Sequence, residues 1–358
     1  MMEVLFKIVR QTQNSAPKIQ TYRLEVEPGN TILDCLNRIK WEQDGTLAFR
    51  KNCRNTICGS CSMRIGGRSA LACKESIGSE LARLAQQKSA VADPSDASSE
   101  TGSIDPKSTH TSAVPEITIA PMGNMPVIKD LVVDMQRFWD NLEAVEPYVS
   151  TEARQIPERE FLQTPAEREQ LNQTGNCILC GACYSECNAS EVNSGFVGPH
   201  ALAKAYRMVA DSRDRNTEAR LETYNQGTDG VWGCTRCYYC NEVCPMDVAP
   251  MDQISKIKGE ILQRKTAQDS RPIRHRKVLV DLVKQGGWID ERKFGLRVVG
   301  NSFRDIKGLA SLGPLGLRML ARGKFPLGFD PSEGTATVRS LINAIQTLAS
   351  ENTQPPET

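Results

Sequence analysis

The sequence predicts an α+β chain in which a small mixed domain precedes a mainly helical half. Three observations carry that expectation. Apolar and polar residues alternate through much of the first thirty positions, apolar residues recur at helical spacing from about residue 126 onward, and twelve of the 13 cysteines fall into three tight groups. With 358 residues and 39% hydrophobic content, the chain is long enough for two domains with real cores. Its 44 basic and 43 acidic residues leave a net charge of +1, which gives no reason to expect nucleic acid. No apolar run approaches the roughly eighteen residues of a transmembrane helix. The opening MMEVLFKIVR is too short and too alternating for a signal peptide, so neither segment is expected.

The elements follow in order. Val4, Phe6 and Ile8, then Tyr22, Leu24 and Val26, alternate with polar neighbours and read as the two strands of a hairpin. Beyond Pro28 and Gly29, TILDCLNRIK reads as a helix, with Thr31 and Asp34 as a capping-box pair and Ile32, Leu36 and Ile39 on one face. Cys35, in no ligand spacing, reads as a small core residue of that helix. Residues 86 to about 115 hold seven serines (Ser89, Ser95, Ser98, Ser99, Ser103, Ser108 and Ser112) and few large apolar groups, too little to bury a core. Helical patterns then dominate, in VIKDLVVDMQRFWDNLEAV, in ALAKAYRMVADSRD after Gly198 and Pro199, and in DQISKIKGEIL, with Ile254, Ile257 and Ile261 on one face. Near the C-terminus Val338, Leu341, Ile342, Ile345 and Leu348 share a helical face, which packs on its own domain or meets a partner.

The cysteine spacing carries the chemistry. Cys53, Cys58, Cys61 and Cys73 follow the C-x4-C-x2-C…C pattern of plant-type [2Fe-2S] ferredoxins. A loop that wraps a two-iron centre must curl tightly, and Gly59 supplies that freedom while its amide neighbours turn towards the sulfurs. Two further runs, residues 177 to 187 and 234 to 244, repeat C-x2-C-x2-C-x3-C, and the second continues into Pro245. In two-cluster ferredoxins the fourth cysteine of each run ligates the other cluster. That rule gives Cys177, Cys180, Cys183 and Cys244 to one cuboidal cluster and Cys187, Cys234, Cys237 and Cys240 to the other. Structural zinc would be the plainer occupant, but it favours separated pairs of cysteines over such crowding.

The chain lacks the groups a substrate-converting site needs. Its three histidines stand in settings that suggest surface roles: His110 in the serine-rich stretch, His200 at a helix start and His275 in the basic run RHRK. No G-x-G-x-x-G follows an expected strand, so no dinucleotide fold and no catalytic residue is expected here. The organic chemistry belongs to another subunit, and this chain carries electrons.

Taken together, CRNTICGSCSMRIGGRSALAC, ITIAPMGNMPVIKDLVVDMQRFW, CILCGACYSEC, FVGPHALAKAYRMVADSRD and CTRCYYCNEVCP resemble the iron-sulfur subunit of succinate dehydrogenase and fumarate reductase, over roughly residues 3 to 262. The resemblance implies a β-grasp plant-type [2Fe-2S] ferredoxin domain over residues 1 to 85 plus about 116 to 125, interrupted by a flexible insertion at 86 to 115. It implies an all-α two-cluster ferredoxin domain over 126 to 299 and leaves 300 to 358 as an extension. It further implies a FAD-containing flavoprotein partner, a membrane-associated partner and a peripheral place on the cytoplasmic side of the membrane. For a donor near about 0 mV, a plant-type cluster near about −400 mV is uphill by roughly 9 kcal/mol per electron. Either hydrogen bonds and burial raise that potential, or electrons run towards fumarate.

Two departures from the better-known members bear on function. Cys237 stands where those members carry an apolar residue and a [3Fe-4S] cluster, so a second [4Fe-4S] cluster is expected, with [3Fe-4S] the alternative. The proline, Ser-x-Trp-Trp run and histidine of the usual quinone pocket are replaced by Asn188, Ala189, Ser190, Glu191, Val192 and Thr235. Both changes resemble a branch that uses a cysteine-rich membrane-associated partner, or the thiol-linked fumarate reductases. Paired cuboidal-type runs would also suit a related 2-hydroxyacid oxidase or a free-standing polyferredoxin carrier. From Leu296 to Gly328 the tail carries Arg297, Arg304, Lys307, Arg318, Arg322 and Lys324 against Asp305 alone. Such a stretch can lie on a membrane surface, or else faces solvent or a partner.

Overall fold

The computed structural model describes residues 1 to 91, 114 to 151, 155, 159 to 264, 270 to 325 and 328 to 351. The chain divides into two compact units, Met1–Gln263 and Arg264–Thr358. His110 and six of the seven serines of the insertion, Ser95 to Ser112, lie outside the described residues.

In the first unit, β1 (Met2–Arg10) and β2 (Lys18–Val26) form the expected antiparallel hairpin, Met2 opposite Val26 and Arg10 opposite Lys18. β3 (Ser62–Ile65), β4 (Arg68–Leu71) and β5 (Glu116–Ala120) complete a five-stranded sheet in the order β2-β1-β5-β3-β4. β5 pairs parallel with β1, opposing Phe6 to Ile117 and Ile8 to Ile119. One sheet face buries Val4, Phe6, Ile8, Leu24, Ile117 and Ile119 against Ile32, Leu36 and Ile39. These belong to helix α1 (Ile32–Arg38) and the π-helical turn that continues it. Thr31 caps α1 as expected: its hydroxyl accepts from the Asp34 amide at 3.1 Å, and Asp34 accepts from the Thr31 amide at 3.1 Å. Cys35 lies in this core, where burial pushes its thiol up to about 12. Helix α2 (Ile77–Val91) runs past residue 86, because Ala82, Leu84, Ala85, Gln86, Gln87 and Lys88 are good helix formers.

The segment after β5 corrects one expectation. Residues 127 to 133 are not helical: they form a two-stranded ribbon, β6 (Val127–Lys129) and β7 (Val132–Val133), and helix α3 covers only Gln136–Glu143. Asp130 decides this. It sits at the turn with φ 51° and accepts from Arg10 Nε at 3.0 Å and from the Ala48 amide at 2.9 Å, so a distant strand and loop fix the bend. Four β-branched residues around it (Val127, Ile128, Val132 and Val133) favour strands over a helix.

The helical half repeats one design. Each cuboidal-type cysteine run leads through a short helix, α5 (Ala182–Ser185) or α9 (Tyr239–Glu242), towards a long one, α7 (Gly198–Val209) or α10 (Pro250–Gln263). α7 and α10 pack against each other, burying Ala201, Leu202 and Ala205 with Ile254, Ile257 and Ile261. α4 (Pro165–Gly175), α6 (Asn188–Val192) and α8 (Thr217–Tyr224) complete this part.

The second unit consists of α11 (Arg271–Gly286), α12 (Glu291–Phe294) with the π-helical turn Gly295–Val299, α13 (Ile306–Ala321) and α14 (Thr335–Glu351). α14 packs on α11, and Arg339 donates to the Lys284 and Gln285 carbonyls. Of its predicted face, Val338 and Ile342 are half-buried while Leu341, Ile345 and Leu348 stay exposed. Among the described residues no helix is long and apolar enough to cross a membrane.

Candidate metal centres

The first centre forms on the loop between α1 and β3. Arg54 (φ 57°), Thr56 (φ 57°) and Gly59 (φ 69°) adopt left-handed backbone, which curls the chain until its amides point inward. The amides of Asn55, Ile57 and Cys58 donate to Cys53 Sγ at 3.3, 3.4 and 3.3 Å, the Cys53 amide donates to Cys58 Sγ at 3.4 Å, and the Thr56 amide donates to Cys73 Sγ at 3.4 Å. Such a nest of amides stabilises negative charge on sulfur. Desolvation works against ionisation of Cys58, yet hydrogen bonds from Ser60 and from the Cys53 amide win and hold its thiol down at about 6. Burial pushes its neighbour Cys61 up to about 12.

The other eight cysteines sort into two crossed sets. Cys177, Cys180, Cys183 and Cys244 line one cavity; Cys187, Cys234, Cys237 and Cys240 line another. Each run therefore lends its fourth cysteine to the opposite cavity. The repeat extends to the backbone, with left-handed residues at Leu179 and Gly181 in one run and at Arg236 and Tyr238 in the other. Apolar walls surround the thiols: Ile178, Leu179, Ala203 and Val248 at the first cavity, Ala189, Phe196, Met251 and Ile254 at the second. Burial pushes Cys180 up to about 11, Cys240 to about 12 and Cys183 well above the ordinary thiol range. Among the described residues no three His, Cys, Asp or Glu side chains close tightly enough to hold a single metal ion. Cysteine quartets around apolar cavities, with Cys180, Cys183 and Cys240 costly to ionise alone, fit polynuclear iron, whose positive charge holds such groups as thiolates.

The centres are built against one another. A Cβ added to Gly59 would lie 2.8 Å from both Cα and Cβ of Cys180, so only glycine lets the first loop come this close to the first cuboidal-type run. Lys74, next to Cys73, donates to the Pro245 carbonyl, next to Cys244, at 2.9 Å. A polar seam locks the sheet to α5: the Ser69 hydroxyl lies 2.7 Å from both Ser185 Oγ and Glu186 Oε1, and Arg64 pairs with Glu186 at 3.0 Å. Asn124 donates to the Tyr184 and Cys187 carbonyls at 2.8 and 3.0 Å. The spacing of the cysteines signals none of these partners.

His200 corrects another expectation. It is not a surface residue: it is 1% exposed, stacks on Phe138 with ring centroids 3.9 Å apart, and lines the first cuboidal-type cavity. Its Nε2 lies 2.9 Å from the Phe138 carbonyl, and burial lowers its pKa to about 4, so it is neutral. His275 is exposed and meets Phe294 edge-on. Buried Arg220 pairs with Asp214 at 3.0 Å and donates to the carbonyls of Glu146 and Tyr148 at 2.8 and 2.7 Å, fastening the stretch after α3 to α8.

A plant-type cysteine loop on a five-stranded sheet, pressed against two crossed cysteine runs in a helical body, defines a multi-cluster ferredoxin-type electron carrier. A model of a 2Fe-2S iron-sulfur cluster binding domain matches residues 5–140, and a model of a 4Fe-4S dicluster domain matches residues 173–248. The fumarate reductase iron-sulfur subunit of Haemophilus influenzae is 32% identical over 255 residues, which span 68% of this chain and 86% of the relative. A mitochondrial succinate dehydrogenase [ubiquinone] iron-sulfur subunit of Arabidopsis thaliana is 34% identical over 262 residues, 72% of this chain and 74% of the relative. The chain belongs to the succinate dehydrogenase/fumarate reductase iron-sulfur subunit family, and is an electron-transfer subunit that carries [2Fe-2S] and [4Fe-4S] clusters. Its fold is shared with a chain of the Mycobacterium smegmatis Sdh1 complex in the apo form, with a TM-score of 0.55 and 23% identity over 75% of this chain and 99% of that one.

Proposed function

We propose that this chain relays electrons between a FAD-containing flavoprotein subunit, which oxidises succinate or reduces fumarate, and a membrane-associated partner. In this reading Cys53, Cys58, Cys61 and Cys73 hold the [2Fe-2S] cluster. Cys177, Cys180, Cys183 and Cys244 hold a [4Fe-4S] cluster. Cys187, Cys234, Cys237 and Cys240 hold a second one. The observation that carries it is the pairing of crossed cysteine quartets with an approach of Gly59 to Cys180 too close for any Cβ, which supports a first centre next to the second. When bound, the clusters supply one-electron storage and transfer. The residues of the chain hold them, line them with apolar walls and aim amides at their sulfurs.

The ends of the relay suit different partners. On the first loop Ile57 is 64% exposed, a feature that fits a flavoprotein face. At the far run Cys237 and Tyr238 are exposed, and at the end of α6 so is Val192, in stretches where better-known members of the family build a quinone pocket. An open face with a fourth thiolate and no Ser-x-Trp-Trp run suits a cysteine-rich redox partner that docks there. Iron analysis and magnetic resonance of the anaerobically purified chain test the assignment. Ten irons per chain are expected, and Cys237→Ser lowers the count to nine and brings up a three-iron signal. Nine irons with that signal already present in the unaltered chain would overturn the second [4Fe-4S] cluster, and a colourless zinc-bearing chain would overturn the relay itself.

A further inference from the structure

Among the described residues nothing covers one face of helix α13 of the second unit, and its surroundings point to what does. Its inner side packs locally: Leu309 lies against Gly300, and Leu312 lies near Gly295. Its outer side repeats Ile306, Ala310, Gly313, Leu317 and Leu320 at alternating steps of four and three, a continuous apolar stripe. On that stripe Ile306 is 76% and Leu317 69% exposed, and Leu320 is exposed as well. Lys307 and Arg318 stand to one side of the stripe, and Arg304, Arg322 and Lys324 flank the helix ends. The sole acid of the segment, Asp305, is used as the helix cap and accepts from the Gly308 amide at 2.7 Å.

We propose that α13 lies on a lipid surface rich in anionic headgroups, with its apolar stripe among the upper acyl chains and its cationic edge at the headgroups. Three features select that occupant. At sixteen residues the helix is about 24 Å long, too short to span a bilayer but of a length that lies along one. A second copy of this chain would bring the same cations against each other with no acid to offset them. Gly313 and Pro314 leave the outer surface low in relief, which suits a fluid apolar phase that demands no shape complement. This contact is independent of the electron relay and stands or falls separately from it.

The test uses the full chain loaded with its clusters and sedimented with vesicles of phosphatidylcholine alone or of an equal mixture with phosphatidylglycerol. The chain pellets with the mixed vesicles and stays in solution with the neutral ones, and added salt releases it. Arg318→Glu with Arg322→Glu weakens partitioning by roughly tenfold or more, and Leu317→Ser with Leu320→Ser weakens it on a similar scale. A Leu317→Trp chain gives a second readout, a blue shift of emission on mixed vesicles. Failure of the unaltered chain to pellet with the mixed vesicles overturns the proposal, as does pelleting that neither variant pair reduces. Self-association without vesicle binding, abolished by the leucine pair, would assign the stripe to a second copy and equally overturn it.

Discussion

Gly59→Ala is expected to damage this protein in two separable ways. Gly59 has φ 69°, where an L side chain costs about 1–2 kcal/mol. Its new Cβ would also sit 2.8 Å from Cα and Cβ of Cys180, against an ordinary carbon contact of about 3.5–4.0 Å. Both atoms belong to the first cuboidal-type run and cannot swing aside, so the clash adds about 1–3 kcal/mol of overpacking. Gly67→Ala isolates the first effect, because Gly67 has φ 89° but no atom within 4 Å of the added Cβ. At about 2–4 °C per kcal/mol for a unit of this size, Gly59→Ala should melt roughly 2–12 °C below Gly67→Ala. The assay is near-ultraviolet dichroism of anaerobic, cluster-loaded chains at one scan rate. With the ligands proposed above, displacing Cys180 also moves two redox centres apart, so magnetic coupling between the reduced clusters weakens in Gly59→Ala alone. Equal midpoints and equal coupling in the two variants would refute the close approach as a constraint.

Three further outcomes follow from buried polar groups. Arg220→Ala leaves Asp214 as an unpaired buried carboxylate and removes the guanidinium donor to the Glu146 and Tyr148 carbonyls, so a loss of about 3–5 kcal/mol is expected by denaturant titration, and Arg220→Met with Asp214→Asn should recover part of it. His200 is held neutral with a pKa of about 4 against about 6.5 in the unfolded chain. Its contribution is complete above pH 6.5 and falls as pH drops towards 4, since the unfolded state then binds the extra proton. Between pH 7.5 and 5 the wild type should lose roughly 2 kcal/mol more than His200→Phe, and parallel pH profiles would contradict this. Ser69→Ala removes a hydroxyl that reaches both Ser185 and Glu186 in a buried seam, for an expected cost of about 1–3 kcal/mol in unfolding free energy; a change within a few tenths would mean that the seam does not lock the sheet to α5.

What the sequence discloses about this molecule follows from how local each constraint is. The cysteine loops are legible because their spacing is local to a dozen residues in each run, and the repeated runs set Cys187 and Cys244 in the opposite cavities. The hairpin, the Thr31 capping box and the α7 and α10 faces are equally local, each set by side chains within a turn or a strand. Misreadings begin where a partner lies far along the chain. VIKDLVV has too few residues to separate a strand pair from a helical turn, and the deciding contact of Asp130 with Arg10 spans 120 positions. His200 looks like a polar helix start until Phe138, 62 residues earlier, stacks on it. Gly59 lies between these cases: its left-handed backbone is expected from the tight loop, whereas the approach of Cys180 depends on how two domains dock. For an electron carrier that division matters physically. Cysteine spacing points to which centres exist, but the approach of the first loop and sheet to the cuboidal-type runs is held by Gly59, Lys74, Ser69 and Asn124, residues whose roles appear only once those parts are in contact.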